Sequence, residues 1–317
     1  MILCVAANPS IDKLFEVQRL SPGAIHRPIG FVQVPGGKGL NVARAAVALG
    51  AEVTVAAMLA GHAGRWVEEA LGSAGVGFQI LWAAGETRSS LSVADRETTS
   101  LTEFYEAGGP IGPEDWASFE WLVGSLLPGA AWMTLSGSLP SGAPNDGYAR
   151  LITAARDAGA LSALDAEGAA LAAALPASPD LVKVNGAEAR SVLELAGGSR
   201  EEMVSEDVRA MAVELRHRIG GDGHAAAVTF GVDGAALAGP DGSVWLGSAT
   251  PRGPYPVGSG DAFLAGMVCE LERGVPWPSA FAAGLGAAGA NAEMAGAGRL
   301  VPDRAAALAR SASVQRS

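Results

Sequence analysis

Short apolar runs alternate along most of the chain with longer, Ala-rich stretches whose apolar positions recur at helical spacing. Ile2–Ala7 and Glu52–Leu59 read as strands, and Leu40–Leu49 between them reads as a helix closed by Gly50. Further strands are predicted over Ala130–Leu135, Ala160–Asp165, Leu181–Val184 and Ala225–Phe230. Helices are predicted near Trp116–Leu126, Asp146–Ala158 and Ser205–Ile219. Such alternation predicts an α/β fold with a mainly parallel sheet covered on both faces. Two segments break the rhythm. Leu14–Gln33 and Arg88–Tyr105 carry period-two patterns with no helix, and read as a small antiparallel excursion that forms a lid or a dimer surface. Each is too short for a core of its own. The expected organisation is therefore one domain over 1–317, with a lid built from about 14–33 and 88–106.

Composition narrows the function. With 49% apolar and 17% charged residues, a chain of 317 residues builds a sizeable core and is not disordered. Thirty-three acidic against 22 basic side chains give a net charge of −11, which argues against nucleic acid and against an anionic membrane surface as partners. A small anionic substrate remains open, because a pocket can carry the opposite sign to the whole surface. Cys4 and Cys269 lie far apart in apolar contexts, as expected of a reduced, cytoplasmic protein. The start lacks a basic n-region and reads as a first strand rather than a signal peptide. Ser279–Ala292 is uncharged but too short to span a bilayer. The polar tail Ser311–Ser317 is expected to fray.

Candidate chemistry lies in Gly-rich turns and at strand ends. Pro35-Gly36-Gly37-Lys38-Gly39-Leu40-Asn41 runs into a helix, so backbone N–H groups and a helix N-terminus come close to any ligand there. It is not a Walker A loop, because Gly39 follows Lys38, and Val42 breaks the dinucleotide fingerprint. Gly258-Ser259-Gly260-Asp261 opens a second helix with a nest of N–H donors and a carboxylate in the first turn. Taken alone, that carboxylate reads rather as a helix-capping or dipole-complementing residue. Thr229-Phe-Gly231-Val-Asp-Gly234 reads as a hairpin turn. Asn8-Pro-Ser-Ile-Asp12, Ser136-Gly-Ser138-Leu-Pro140 and Lys183-Val-Asn185-Gly-Ala-Glu188 sit at strand C-terminal ends, where open α/β sheets bind ligands. His26, His62, His217 and His224 show no metal-binding spacing, and no G-x-S-x-G elbow is present.

Taken in order, these six segments resemble the ribokinase-like (PfkB) carbohydrate kinases, nearest to the branch of 1-phosphofructokinase and tagatose-6-phosphate kinase. The resemblance implies a three-layer α/β/α domain with a small antiparallel β lid. It implies ATP-dependent phosphoryl transfer to a phosphorylated ketohexose (fructose 1-phosphate, tagatose 6-phosphate or fructose 6-phosphate). In that reading Asp261 is the general base, and the N–H groups of Gly258, Ser259 and Gly260 surround the transferring phosphoryl group. Lys183 meets the ATP phosphates, and Glu188 and Asn185 hold Mg²⁺ through water, with room left for a monovalent cation. Thr229, Gly231, Gly234 and Asn291 line the nucleotide. Asp12, Gly37, Asn41 and Ser138 hold the sugar, while Lys38, Arg88 and Arg27 read its phosphate. A homodimer through the lid is implied as well.

This sequence departs from the family pattern at Val184, Ser259 and Tyr105, and in the Asp165-Ala-Glu-Gly segment. Tyr105 adds bulk near the lid and leaves the acceptor open. The alternatives are a kinase of an unphosphorylated sugar or nucleoside, and a sugar-phosphate sensor with weak turnover.

Overall fold

Strand β1 (Ile2–Ala6) is buried on both sides: Ile2, Cys4 and Ala6 enter one core layer, Leu3 and Val5 the other. That double burial is why the segment reads as an unbroken apolar run. Residues 1–195, 205–249 and 253–317 are described by a computed structural model of the chain. Parallel to β1 on one side lie β4 (Val53–Ala60) and β5 (Gly77–Ala83). On the other lie β8 (Trp132–Ser136), β9 (Leu161–Asp165), β10 (Leu181–Asn185) and β11 (Ala225–Thr229), also parallel. Antiparallel β12 (Ala235–Ala238), β13 (Val244–Ser248) and β14 (Ser313–Arg316) complete a ten-stranded sheet.

Helices cover both faces, as predicted. Against the Ile2 face pack α1 (Lys38–Ala48), α2 (Gly61–Ser73), α8 (Ser259–Glu272), α9 (Trp277–Ala292) and α10 (Pro302–Ser311). Against the Leu3 face pack α3 (Pro113–Leu126), α4 (Gly147–Asp157), α5 (Gly168–Ala174), α6 (Gly186–Val192) and α7 (Ser205–Arg218). The uncharged Ser279–Ala292 stretch falls within α9, packed against α8. Among the described residues no helix is long and apolar enough to cross a membrane.

A second, four-stranded sheet stands apart, in the order β3 (Gly30–Gly36), β2 (Ser10–Val17), β6 (Arg88–Asp95), β7 (Leu101–Tyr105). Pairing is antiparallel within β2–β3 and β6–β7, and parallel where β2 meets β6. Its first segment starts at Ser10 and runs on to Gly36, wider than the period-two pattern indicated.

The tail is a correction to the sequence reading. Residues 313–316 do not fray but pair with β13, from Ser248↔Ser313 to Trp245↔Arg316, and Arg316 donates to Ser243 Oγ at 2.6 Å. Backbone pairing along the exposed edge of β13 outweighs the polarity of the segment.

From β1 the chain runs to β4 on one side, and the next neighbour on the other is β8. Such a switch point opens a crevice at the strand C-termini. Asn8 follows β1 and Gly137 follows β8 at that crevice, and both line one cavity of about 1410 Å³ beneath the lid sheet.

Candidate active site

The cavity floor is the start of α8. Gly258 caps this helix at φ 81°, a left-handed conformation, and a Cβ added there would approach the Ala297 Cβ to 2.6 Å. Only glycine fits both demands. The Ser259 N–H turns back onto the Pro256 carbonyl at 3.1 Å, so it meets a phosphoryl oxygen only by giving that bond up. Asp261 follows in the first turn, 5% exposed and lining the cavity. Burial pushes its carboxyl up, and the neighbouring charge of Asp165 adds to this. Lys183, Lys38 and an Asn41 hydrogen bond pull it back, leaving it at about 7. The Asn41 amide donates to Asp261 Oδ2 at 2.9 Å.

Behind Asp261 lies a buried ionic cluster. Lys183 Nζ donates to Asp165 Oδ2 at 2.6 Å, and Lys38 Nζ donates to Asp165 Oδ1 at 3.0 Å and to Glu188 Oε1 at 3.2 Å. Burial works to raise the Asp165 carboxyl, but Lys183 and Lys38 outweigh it and hold it below the ordinary carboxylate range. Burial likewise works against a charged Lys38, yet Asp165, Glu188 and Asp261 hold it well above the usual lysine value. A Cβ on Gly260 would stand 2.7 Å from Lys183 Nζ, so this ammonium lies directly against the α8 start. Asn185 caps α6: its Oδ1 accepts from the N–H groups of Ala187 and Glu188, and Glu188 Oε2 accepts from the Asn185 N–H at 2.7 Å. This capping box fixes the Glu188 carboxylate at the cavity wall.

Elsewhere on the cavity wall, Asp12 Oδ1 accepts from Ser10 Oγ at 2.6 Å and Oδ2 from the Gly37 N–H at 3.3 Å. Gly37 itself sits at φ 86°, turning β3 into α1. Asn8 donates to Ser138 Oγ at 3.0 Å. Arg88 lines the cavity, with Nη2 on the Asn8 carbonyl at 3.1 Å and Nη1 on Ser90 Oγ at 3.2 Å. Tyr105 reaches in from β7, its hydroxyl donating to Glu103 Oε1 at 2.5 Å. Lid and floor are joined by Glu16, whose carboxylate accepts from the Tyr255 hydroxyl at 2.7 Å and from Arg96 at 2.6 Å.

Most of the residues singled out from sequence converge on this cavity, including Thr229, Gly231 and Gly234. Three lie elsewhere than expected. Lys38 Nζ is committed to the Asp165 and Glu188 carboxylates. Asn291 is fully buried beneath the floor, donating to the Val257 carbonyl at 2.9 Å and to Ser259 Oγ at 3.3 Å. It braces the loop rather than lining the cavity. Arg27 is exposed on the β2–β3 loop, outside the lining.

Residues 5–304 match the pfkB family of carbohydrate kinases. This chain belongs to that family. A 1-phosphofructokinase of Rhodobacter capsulatus is 31% identical to this pfkB kinase over 322 residues, covering 99% of this chain and 97% of the relative. The crystal structure of phosphofructokinase-2 from Escherichia coli in complex with fructose-6-phosphate has a TM-score of 0.86 at 25% identity, covering 98% of each chain. A structure of a possible 1-phosphofructokinase from Thermotoga maritima shares the fold, with a TM-score of 0.84 at 20% identity over 100% of this chain and 99% of its own.

In this pfkB kinase, Asp165, Glu16 and Tyr255 join the site without belonging to any of the six sequence motifs. Asp165 ends a strand beside the crevice, a position that signals a ligand or ion contact. Nothing local marks Glu16 or Tyr255, because their contact spans 239 residues of chain.

Proposed function

We propose that this pfkB kinase transfers the γ-phosphoryl group of ATP to a hydroxyl of a phosphorylated ketohexose, giving a sugar bisphosphate. The observation that carries the reading is Asp261: a buried carboxyl at about 7, at the start of a helix whose N-terminus faces the cavity. A group near neutrality accepts a proton from an attacking hydroxyl and releases it again. The N–H groups of Gly258 and Gly260 meet the charge that develops on the phosphoryl oxygens. Lys183, against the same turn, meets the phosphates as a compact positive charge. Thr229, Gly231 and Gly234 border the nucleotide, and Asp12, Gly37, Asn41 and Ser138 hold the acceptor.

Glu188 fits an outer-shell role toward Mg²⁺, because one N–H and one lysine fix its carboxylate while lone pairs remain for water. When bound, Mg²⁺ would supply charge neutralisation at the phosphates; Glu188 would hold it through water, while Asn185, whose Oδ1 already accepts two N–H groups, fixes Glu188 in place. The similarity to a 1-phosphofructokinase and to a fructose-6-phosphate complex supports a phosphorylated acceptor. So does Arg88, a fork-shaped cation at the acceptor end. We place this enzyme in the cytoplasm as a homodimer, supported by buried free cysteines and by the exposed apolar lid residues Ile25, Ile29, Phe31 and Phe104.

One observation favours an unphosphorylated acceptor instead. Lys38 is drawn to the Asp165 end, and Glu106, which accepts from the Ser89 N–H at 2.7 Å, stands beside Arg88 and lines the cavity. A coupled assay of ADP release across fructose 1-phosphate, fructose 6-phosphate, tagatose 6-phosphate, fructose and ribose separates the two. Turnover confined to the unphosphorylated sugars overturns the proposal. Arg88→Ala is expected to raise KM for the phosphorylated acceptor by about 10- to 100-fold, the loss of a charge-assisted hydrogen bond, and to leave its dephosphorylated counterpart nearly unchanged. Equal effects on both would show that Arg88 does not read a phosphate.

A further inference from the structure

Arg44 lies one turn beyond Asn41 on α1, and its Nη2 donates to Asn41 Oδ1 at 2.9 Å and to the Ala297 carbonyl at 2.5 Å. Asn41 then donates from its amide nitrogen to Asp261 Oδ2 at 2.9 Å. An amide whose oxygen is held by a guanidinium has only its NH₂ left to offer. Flipped, it would set its NH₂ against Arg44 and its carbonyl against the Asp261 carboxylate. Arg44 therefore decides which end of Asn41 meets Asp261.

A packing role does not explain the choice of arginine. Arg44 Nε is buried and has no partner among the described residues, a cost that an apolar side chain of the same length would avoid. The second Arg44 bond reaches the floor by another path. Ala297 is the residue that a Cβ on Gly258 would strike, and a Cβ on Gly298 would come within 2.6 Å of the Asn41 carbonyl. The amide and the turn beneath the helix start meet at one guanidinium, and the amide carries the contact on to Asp261.

We propose that Arg44 is a positioning residue for phosphoryl transfer: it holds the Asn41 amide in the orientation that donates to Asp261, and holds the 296–298 turn against Gly258. The proposal rests on Asp261 being the general base. Asp261 also faces Asp165 from β9, Lys183 from β10, Lys38 from α1 and Tyr105 from the lid. Arg44 differs from these in acting chiefly through the amide. Burial lowers its guanidinium to about 10, against the pull of Asp12 and Asp261, so it stays charged through neutral pH.

A hydrogen bond to the ionised form favours that form, so loosening it raises the base's pKa. Arg44→Met is expected to move the acid limb of kcat/KM up by about one pH unit, the equivalent of one charge-assisted hydrogen bond. KM for MgATP should change less than about twofold. Arg44→Lys, which keeps the charge but not the fork, should shift the limb partway, and it serves as the test if Arg44→Met does not fold. In an Asn41→Ala background the limb should no longer respond to Arg44→Met. A folded Arg44→Met with an unmoved limb, or the same shift without Asn41, overturns the proposal. Asp261→Asn keeps the two readings apart. If that variant turns over normally, the base assignment itself fails; if it is inactive while the Arg44→Met limb stays put, only the role of Arg44 fails.

Discussion

Asp261→Asn is expected to lower kcat by about 10²- to 10⁴-fold, the usual contribution of a general base, while MgATP and acceptor still bind. The substitution keeps the shape at the start of α8 and keeps an acceptor for the Asn41 amide. Single-turnover kinetics with separate binding measurements would check both halves. The same variant should melt higher than the wild type at pH 8. Asp261 has a folded value of about 7, above that of an unfolded aspartate. Its contribution to stability is therefore complete below about pH 4 and is lost as pH rises through about 7. Removing the carboxylate removes that loss. Unchanged turnover would take Asp261 out of the chemistry, and a lower melting temperature at pH 8 would contradict the burial argument.

Asp165→Asn should have the second-largest effect, and of a different kind. Asp165 is fully buried and holds two ammonium groups at once. Taking away one partner of a buried ion pair costs about 3–5 kcal/mol. The sign with pH follows from its lowered carboxyl: the ionised form stabilises the fold at neutral pH, and that contribution is lost as the medium falls below about pH 4. Lys183 and Lys38 would also lose their anchor, so KM for ATP should rise about tenfold, one lost charge-assisted hydrogen bond. The pH profile offers a further check. Asp165 raises the Asp261 carboxyl, so Asp165→Asn should move the acid limb down, opposite to Arg44→Met. A variant as stable as the wild type would mean that the two lysines find other partners.

Residues buried on both faces made the central strands legible, because a run such as Ala225–Val228 has no polar side to interrupt it. Strand β5 and helix α2 escaped for the opposite reason. β5 lies at the sheet edge with no fully buried position, and glycines at 61, 64 and 72 dilute the stripe of α2. Strand β14 escaped because only Val314 is partly buried and tertiary pairing alone selects it. At the site, glycine-rich turns were legible because close backbone approach demands glycine. The target of Lys38 was not, since a long flexible stem reaches either end of the cavity and the fold decides which. Arg44 was likewise invisible, because its partner amide points at a carboxylate 220 residues away from Asn41.

The cluster behind Asp261 bears on how this enzyme meets anions. Two ammonium groups, Lys38 and Lys183, stand among the carboxylates of Asp165, Glu188 and Asp261, so the bare site holds no surplus of positive charge while Asp261 is ionised. That cluster by itself does not draw phosphates from a distance, and the net charge of −11 opposes their approach. In the proposed reaction, recognition then falls to contacts made only on arrival: N–H groups aimed at oxygens, and lysines that would exchange a resident carboxylate for an incoming phosphate. Such contacts are short and shielded from counter-ions, so KM for MgATP should not rise as salt approaches physiological strength.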